Sequence, residues 1–204
     1  MSIDTLSGGF SDPAIQSARA FRACLTALSR PGRIETLTGA TPPAPLSVAA
    51  GVLALTLLDG TTPVHLAGAF DCADLRDWLT FHTGAPLVAA SEAAFAFGRF
   101  DDLLPLDRFA IGTPEYPDRA ATLVIDLPAL LPDGAHLTGP GIKDHARLSL
   151  PATAPRISGL ALRSSRRATT VAAPGVVWIS TICWLWTTAR TMSCTERVLP
   201  AGSS

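Results

Sequence analysis

The sequence predicts a single α/β domain in which helices cover a mixed sheet. Segments with helical spacing of apolar residues interleave along the chain with short apolar or alternating runs typical of strands. Interleaved patterns of this kind favour helices packed on a sheet. Since no internal repeat and no linker divides the 204 residues, we treat residues 1–204 as one domain. A chain of this length can bury a sizeable core without a disulfide or a metal ion.

Three helices are predicted in the first half of the chain. The first begins at Ser11-Asp12-Pro13, where small polar caps precede a proline, and ends before Arg30-Pro31-Gly32. The second, over residues 46–58, is apolar enough to be buried, and the third covers residues 73–81. A shorter helix is expected around residues 104–109.

Strands are predicted from the remaining apolar and alternating runs. They cover residues 33–38, 63–67, 87–90, 95–97, 121–127 and 136–138. The run at 121–127 is strongly apolar and follows a long polar loop at residues 112–119. A turn at residues 139–142 follows the last run.

Composition excludes several classes of protein. Sixteen basic and seventeen acidic residues leave a net charge of -1, so we expect no binding of nucleic acid or of an anionic membrane surface. No basic residue precedes Arg19 and no apolar signal-peptide core follows, so we expect no secretory signal and a cytoplasmic protein. The longest uncharged stretches are broken by prolines, which argues against a transmembrane helix.

Neither the histidines nor the cysteines form a recognisable metal-binding pattern. No two of the four histidines are four residues apart, and no two of the four cysteines form a CxxC pair. These residues are His65, His82, His136, His145, Cys24, Cys72, Cys183 and Cys194. We therefore expect no metal and no cofactor, and interpret Cys24 as a buried free thiol within a helix.

The first candidate ligand site is the segment His82, Thr83 and Gly84. His82 stands at the end of a predicted helix, in the sequence His82-Thr-Gly-Ala-Pro86. A structural alternative stays open, because an imidazole suits a helix C-terminus and Gly84 can supply a left-handed cap.

The second candidate is the loop at residues 112–119. Glu115 and Tyr116 lie between two prolines, and Arg119 follows just before a buried strand, where ligands of α/β proteins commonly bind. The alternative is a proline-braced loop in which Glu115 and Arg119 pair with neighbouring elements.

The third candidate is the turn that contains Gly139 and Gly141. It resembles a phosphate-binding turn only superficially, because Pro140 removes one backbone donor. Lys143, the single lysine of the chain, follows it and is the one residue that could form a Schiff base. In its polar surroundings we expect a solvated amine. No nucleophile–base pattern stands out, and we assign no catalytic residue.

Several separate motifs together resemble a known family, PhnH, a subunit of the bacterial carbon–phosphorus lyase system. They are Phe21-Arg22, Ala27-Leu-Ser-Arg-Pro-Gly32, Thr62-Pro-Val64, Phe81-His-Thr-Gly-Ala-Pro86, Gly112-Thr-Pro-Glu-Tyr-Pro-Asp-Arg119, Ala121-Thr-Leu123 and Leu137-Thr-Gly-Pro-Gly-Ile142. They occur in the family's order and spacing between residue 10 and about residue 150.

The resemblance implies a fold, partners and a role. It implies a three-layer fold with a mixed sheet, similar to the large domain of pyridoxal-phosphate-dependent transferases but without the cofactor site. It implies a homodimer that assembles with PhnG, PhnI and PhnJ. It also implies a role with PhnG, PhnI and PhnL in forming ribose 1-phosphonate 5-triphosphate from ATP and a phosphonate, with no activity of the isolated chain.

Two other functions stay open at this point. One is a stand-alone nucleotide- or phosphonate-binding module in which Arg119 and the Gly139 turn contact the anion. The other is an independent pyridoxal-phosphate enzyme that uses Lys143.

The last fifty residues depart from the family pattern. Family members end with an Arg-Gly-Val-Asp-Leu-like strand, and codons for Gly175-Val-Val-Trp-Ile-Ser180 can encode that sequence in a shifted frame. Cys194-Thr-Glu-Arg-Val198 resembles the family's closing strand in the original frame. We interpret residues 158–190 as a compensated frameshift. The alternative is a divergent tail with a membrane-surface or partner-binding stripe of tryptophans.

Overall fold

The computed structural model describes residues 6–30, 32–113, 115–116, 119–137, 142–149, 167–171 and 176–181. The α-helices within them are α1 (Pro13–Ser29), α2 (Val48–Leu57) and α3 (Ala73–Thr83). The strands are β1 (Ile34–Glu35), β2 (Val64–Leu66), β3 (Phe95–Gly98), β4 (Thr122–Leu127), β5 (Ala135–Leu137), β6 (Ala146–Leu148), β7 (Arg167–Val171) and β8 (Val176–Thr181).

Six of these strands form one mixed sheet with the order β1-β7-β8-β4-β3-β2. Strands β2, β3 and β4 run parallel to one another, whereas β8 pairs antiparallel with both β4 and β7. The two remaining strands, β5 and β6, form a separate antiparallel hairpin. The predicted α/β class with a mixed sheet is thereby confirmed.

Helices α1 and α2 begin at side-chain caps, and α3 ends at a glycine cap. The carboxylate of Asp12 accepts a hydrogen bond from Ile15 N at 3.2 Å, and the hydroxyl of Ser47 accepts one from Ala50 N at 3.3 Å. The third helix ends at Gly84, whose φ of 69° is the left-handed conformation that glycine adopts without steric cost.

The sheet separates two hydrophobic clusters. Val124 of β4 packs with residues of all three helices, whereas its neighbours Leu123 and Ile125 belong to the second cluster, as the alternation of side chains along a strand requires. The second cluster is completed by residues from 3-10 turns and loops and by β6. These residues are Phe100, Leu103, Phe109, Leu130 and Leu148.

The segment predicted as a strand at residues 87–90 is the clearest difference from the sequence prediction. It makes a single parallel bridge, from Leu87 to Val64, and a 3-10 turn at Ala90–Glu92 follows at once. The turn is needed because the chain must reverse before Phe95 can enter the sheet beside Val64 as the first residue of β3.

Smaller differences concern lengths and types of element. The predicted helix at residues 104–109 is a 3-10 turn, Leu106–Arg108, and the strand predicted over residues 33–38 is the two-residue β1. Helix α3 continues through His82 to Thr83, with Gly84 as its cap, instead of ending at residue 81. Strands β6, β7 and β8 were not predicted. Within the described residues, no helix has the length and apolar character needed to span a bilayer.

Candidate functional site

The C-terminal end of α3 holds the N-terminal segment of the chain. Nε2 of His82 lies 3.0 Å from the carbonyl oxygen of Leu6, and the indole N–H of Trp78 donates to the carbonyl of Ser7 at 2.8 Å. The Trp78 and His82 rings lie 4.9 Å apart between centroids. One face of α3 therefore fixes the backbone of residues 6–7 through two side chains spaced four residues apart.

The close approach to this helix requires a glycine in the N-terminal segment. A Cβ atom at Gly9 would lie 2.5 Å from Cε1 of His82.

The other two residues of this candidate site, Thr83 and Gly84, form the end of α3. The hydroxyl of Thr83 donates to the carbonyl of Leu79 at 2.7 Å and accepts from Ala85 N at 3.1 Å. Gly84 is the left-handed cap. These contacts agree with the structural alternative, and ligand binding by His82, Thr83 and Gly84 stays a prediction.

The loop at residues 112–119 is closed at its neck by backbone pairing. Ile111 and Ala120 form an antiparallel bridge, and Ala121 N donates to the carbonyl of Ala110 at 2.8 Å. Inside the loop the carbonyl of Tyr116 accepts from Thr113 N and from Arg119 N, each at 3.2 Å. These hydrogen bonds bring Thr113, Tyr116 and Arg119 close together in the chain's fold.

An arginine and an aromatic ring stack on the outside of this loop. The guanidinium carbon of Arg119 lies 4.0 Å from the centroid of the Tyr116 ring, a cation–π contact, and Tyr116 is 51% exposed. Glu115 and Arg119 are exposed as well. Neither forms an ion pair within the part of the chain that the structure describes, so the alternative in which they pair with neighbouring elements is not observed there. A stacked, exposed guanidinium is well suited to contact a phosphate or phosphonate group.

The third predicted site, with Gly139 and Gly141, lies outside the described residues. Lys143 beyond it is exposed, as expected for a solvated amine. No hydrogen bond, ion pair or ring contact found between described residues connects the loop at 112–119 with the end of α3.

A cavity that the sequence did not predict lies at the outer edge of β2. It has a volume of about 270 Å³ and is lined by Val64, His65, Leu66, Asp71, Arg76, Leu87, Val88 and Ala89. It forms because residues 86–88 pair with β2 only at Val64, which donates to the carbonyl of Pro86 at 2.8 Å and accepts from Val88 N at 2.9 Å.

Three polar side chains line this cavity. Nδ1 of His65 lies 3.1 Å from the carbonyl of Val88, and Nε of Arg76 donates to the Asp71 carboxylate at 2.5 Å. The hydrogen bond from Arg76 lowers the pKa of Asp71, and the same contact raises the pKa of Arg76. Both groups are therefore charged at neutral pH and largely neutralise each other. The cavity offers hydrogen-bonding groups without a strong net charge.

Few features of the sequence indicate this cavity. His65 lies inside the predicted strand at residues 63–67, and Asp71 and Arg76 are five residues apart on different elements. The one available signal was the combination of a histidine in a short strand with an acidic residue just after it, at the carboxyl end of a parallel strand.

Two further titratable groups, Cys24 and Asp126, lie inside the fold and away from the cavity. Burial raises the pKa of the Cys24 thiol to about 11, so the thiol is protonated at neutral pH, and the expectation of a buried free thiol is confirmed. Burial also raises the pKa of Asp126 on β4, whose carboxylate accepts from Ser47 N at 2.9 Å at the start of α2. Within the described residues, no group of three or more His, Cys, Asp or Glu side chains could hold a metal ion.

Comparison with known proteins gives two concordant matches. The model of the family PhnH, described as a bacterial phosphonate metabolism protein, matches residues 8–166. A curated relative from Rhizobium meliloti (strain 1021) is 45% identical over 143 residues, which cover 68% of this chain and 71% of the relative. That relative is the alpha-D-ribose 1-methylphosphonate 5-triphosphate synthase subunit PhnH. The motifs between residues 21 and 142 all lie inside the range that the family model matches.

Proposed function

The chain belongs to the PhnH family, and from that premise we propose that it is a non-autonomous subunit of the carbon–phosphorus lyase complex. In this proposal it acts with PhnG, PhnI and PhnL, and the reaction forms ribose 1-phosphonate 5-triphosphate from ATP and a phosphonate. A phosphonate oxygen bonds to C1′ of the ribose while the glycosidic bond to adenine breaks. The observation that carries the proposal is the 45% identity to a protein named as a subunit of this type of synthase.

The chain's own contribution in this proposal is to bind and orient rather than to supply a nucleophile. Arg119 is the strongest candidate for contact with an anionic substrate, because it is exposed and stacks on the ring of Tyr116. We keep Glu115, the segment His82–Thr83–Gly84 and the glycines Gly139 and Gly141 as further proposed ligand contacts.

The finer features implied by the family belong to the same proposal. They are a homodimer, assembly with PhnG, PhnI and PhnJ, a cytoplasmic location, and a three-layer fold resembling the large domain of pyridoxal-phosphate-dependent transferases without the cofactor site. All three α-helices contribute to one cluster against the sheet, and 3-10 turns with β6 contribute to the other, which agrees with a layered arrangement.

Reconstitution tests the proposal directly. The chain is co-expressed with PhnG, PhnI and PhnJ, the complex is isolated by size exclusion, and adenine release from ATP and methylphosphonate is measured after PhnL is added. We expect adenine release with the full set and none from the isolated chain. The proposal is wrong if no complex forms, if the other subunits release adenine equally well without this chain, or if the chain alone turns over the substrates.

A stand-alone binding module is the second candidate function, and the exposed Tyr116–Arg119 stack favours it. Calorimetry of the isolated chain with ATP and with methylphosphonate distinguishes the two functions. Saturable heat that disappears in Arg119→Ala supports a binding module, and no heat beyond dilution rejects it.

The pyridoxal-phosphate alternative rests on Lys143, which is exposed, whereas Schiff-base lysines are normally desolvated. We expect no aldimine absorbance when pyridoxal phosphate is added.

For the C-terminal part, we propose that residues 158–190 are read in a shifted frame relative to the family. The family model stops matching at residue 166, inside this range, which supports the proposal. Re-reading the gene tests it, and we expect a pair of compensating insertions or deletions around these codons. A clean open frame for this tail, shared by near relatives, contradicts the proposal and favours a divergent tail.

A further inference from the structure

The outer face of α1 carries an exposed apolar stripe. Ile15, Phe21 and Leu25 are 50%, 47% and 49% exposed, and Ala18 between them is exposed as well. At 100° per residue these positions share one side of the helix. The buried residues Ala20, Cys24 and Ala27 lie on the opposite side, against the core.

This stripe is unusual for the surface of an isolated domain. Single exposed apolar residues are ordinary, whereas a contiguous apolar surface with a polar border marks an interaction site. Leaving aside β5, β7 and β8, no other described helix or strand carries three large exposed hydrophobic side chains. The stripe is therefore a property of α1 itself and not a general feature of the surface.

Charge on α1 indicates the kind of surface that fits the stripe. The helix contains Arg19 and Arg22, both exposed, and no acidic residue between Pro13 and Ser29, although the whole chain has a net charge of -1. Arg22 lies close to the angular position of Ile15, at one edge of the stripe, and Arg19 lies just beyond that edge. A complementary surface is consequently apolar at its centre and carries carboxylates at its border.

The same charges disfavour a second copy of this chain as the occupant. Pairing α1 with its own symmetry mate would bring Arg19 and Arg22 of both copies into one small interface. Like charges placed close together in a partly desolvated contact are destabilising. A different protein with acidic residues meets no such penalty.

The helix is already ordered for binding. Its start is capped by Asp12, and its inner side packs on α2 and the sheet. A docking partner would therefore not have to order the helix, which removes part of the entropic cost of association.

We propose that Ile15, Ala18, Phe21, Arg22 and Leu25 form the surface by which this chain docks into an apolar groove, bordered by carboxylates, of a sister subunit. The inference rests on the proposed function, because it requires that sister subunits bind this chain. It deepens that proposal by assigning the contact to one face of one helix and by stating the chemistry of the partner surface.

The first test substitutes the apolar residues. The variant F21S/L25S is compared with the wild type for co-elution with PhnG, PhnI and PhnJ, and each isolated chain is also sized and melted. We expect the variant to lose co-elution, or to bind at least about tenfold more weakly, with an unchanged melting temperature. Leu131→Ser is the matched control, because Leu131 is 57% exposed but lies outside α1, and it should co-elute like the wild type.

The second test concerns charge. Arg22→Glu should weaken assembly more than Arg22→Gln, and raising the salt concentration should reduce the difference between Arg22→Gln and the wild type. Arg147→Glu on β6 is the control for a charge reversal elsewhere, and we expect it to change affinity by less than about twofold.

Each contrary outcome has a distinct meaning. If the wild type does not bind the sister subunits, the proposed function fails and the inference fails with it. If the wild type binds and F21S/L25S binds equally well, the inference alone is wrong. It is also wrong if F21S/L25S dissociates a homodimer without affecting sister binding, since the face then serves a second copy. A lowered melting temperature of the isolated variant likewise overturns it, because the face is then covered within the chain.

Discussion

The end of α3 and the loop at residues 112–119 contain the same kind of pair, an aromatic ring beside a nitrogen-containing side chain, in opposite environments. In α3 the pair is Trp78 and His82, and Trp78 is fully buried at 0% exposure. In the loop the pair is Tyr116 and Arg119, and the tyrosine ring is half exposed. The first pair binds backbone carbonyls of the same chain, whereas the second presents its cation to solvent.

The two pairs differ in whether the same chain offers hydrogen-bond acceptors to their nitrogen atoms. Residues 6–7 offer two carbonyl oxygens, so the indole N–H of Trp78 and Nε2 of His82 both have hydrogen-bond partners within the fold. In the loop, the carbonyl of Tyr116 accepts from two backbone N–H groups of the loop itself, and Arg119 is exposed. We expect the first pair to contribute stability and the second to be available for recognition.

The largest expected effect is that of Trp78→Ala. Removing a fully buried indole and its hydrogen bond to Ser7 should lower the free energy of unfolding by about 3–5 kcal/mol. Denaturant titration measures the change, and Trp78→Phe, which keeps a ring but loses the N–H, should lose less. A loss below about 1 kcal/mol for the alanine variant would contradict the role assigned to this pair.

The next effect concerns the contact between Gly9 and His82. In Gly9→Ala the new methyl would meet the imidazole ring, so we expect a loss of about 1–3 kcal/mol from overpacking. Adding His82→Ala should recover part of that loss, because the ring that obstructs the methyl is gone. A double-mutant cycle measures the coupling, and additive losses would show that the close approach is unimportant.

A pH-dependent effect extends the comparison to a partly buried carboxylate. Burial raises the pKa of Asp126, so its contribution to stability is present at pH values below its pKa in the unfolded chain and is lost as pH rises through its raised pKa in the folded chain. Asp126→Asn keeps an oxygen for Ser47 N and should be more stable relative to the wild type at neutral pH than at acid pH. Urea titrations at several pH values check this, and a stability difference independent of pH would contradict it.

The smallest stability effect is expected in the loop. Arg119→Ala should change the free energy of unfolding by less than about 1 kcal/mol, because an exposed cation–π contact contributes little. The same variant should slow adenine release by the reconstituted complex about tenfold, with Arg147→Ala as the exposed control. If Arg119→Ala instead destabilises the fold as strongly as Trp78→Ala, the proposed contrast between the two pairs is wrong.

Local patterns predicted the elements whose formation depends on neighbouring residues. The caps at Asp12 and Gly84 and the apolar run of β4 were recognisable because each signal lies within a few residues of the element it defines. The family resemblance was also recognisable, because it rests on several motifs in order, and the match over residues 8–166 confirms it.

Long-range pairing was not predictable in the same way. Residues 87–90 have the composition of a strand, but the return of the chain to β3 leaves them a single bridge. The cavity beside His65 follows from that partial pairing, so no local pattern could indicate it. The run Val176–Thr181 forms a strand consistent with its β-branched composition, although the family resemblance places a different sequence there.

The sequence by itself determined the α/β class, the three helices, the parallel-strand segments at β2, β3 and β4, and membership in the PhnH family. Periodicity, capping residues and motif order are properties of the linear sequence, so they can be recognised without knowing which residues are close in space. Only the tertiary structure decided that His82 contacts the N-terminal segment, that Arg119 stacks on an exposed ring, and that the apolar stripe of α1 faces outward. The physical reason is that the His82 contact and the outward face of α1 depend on how whole elements pack together. The stack of Arg119 on Tyr116 joins residues only three apart, but its exposure depends on whether another part of the fold covers the ring.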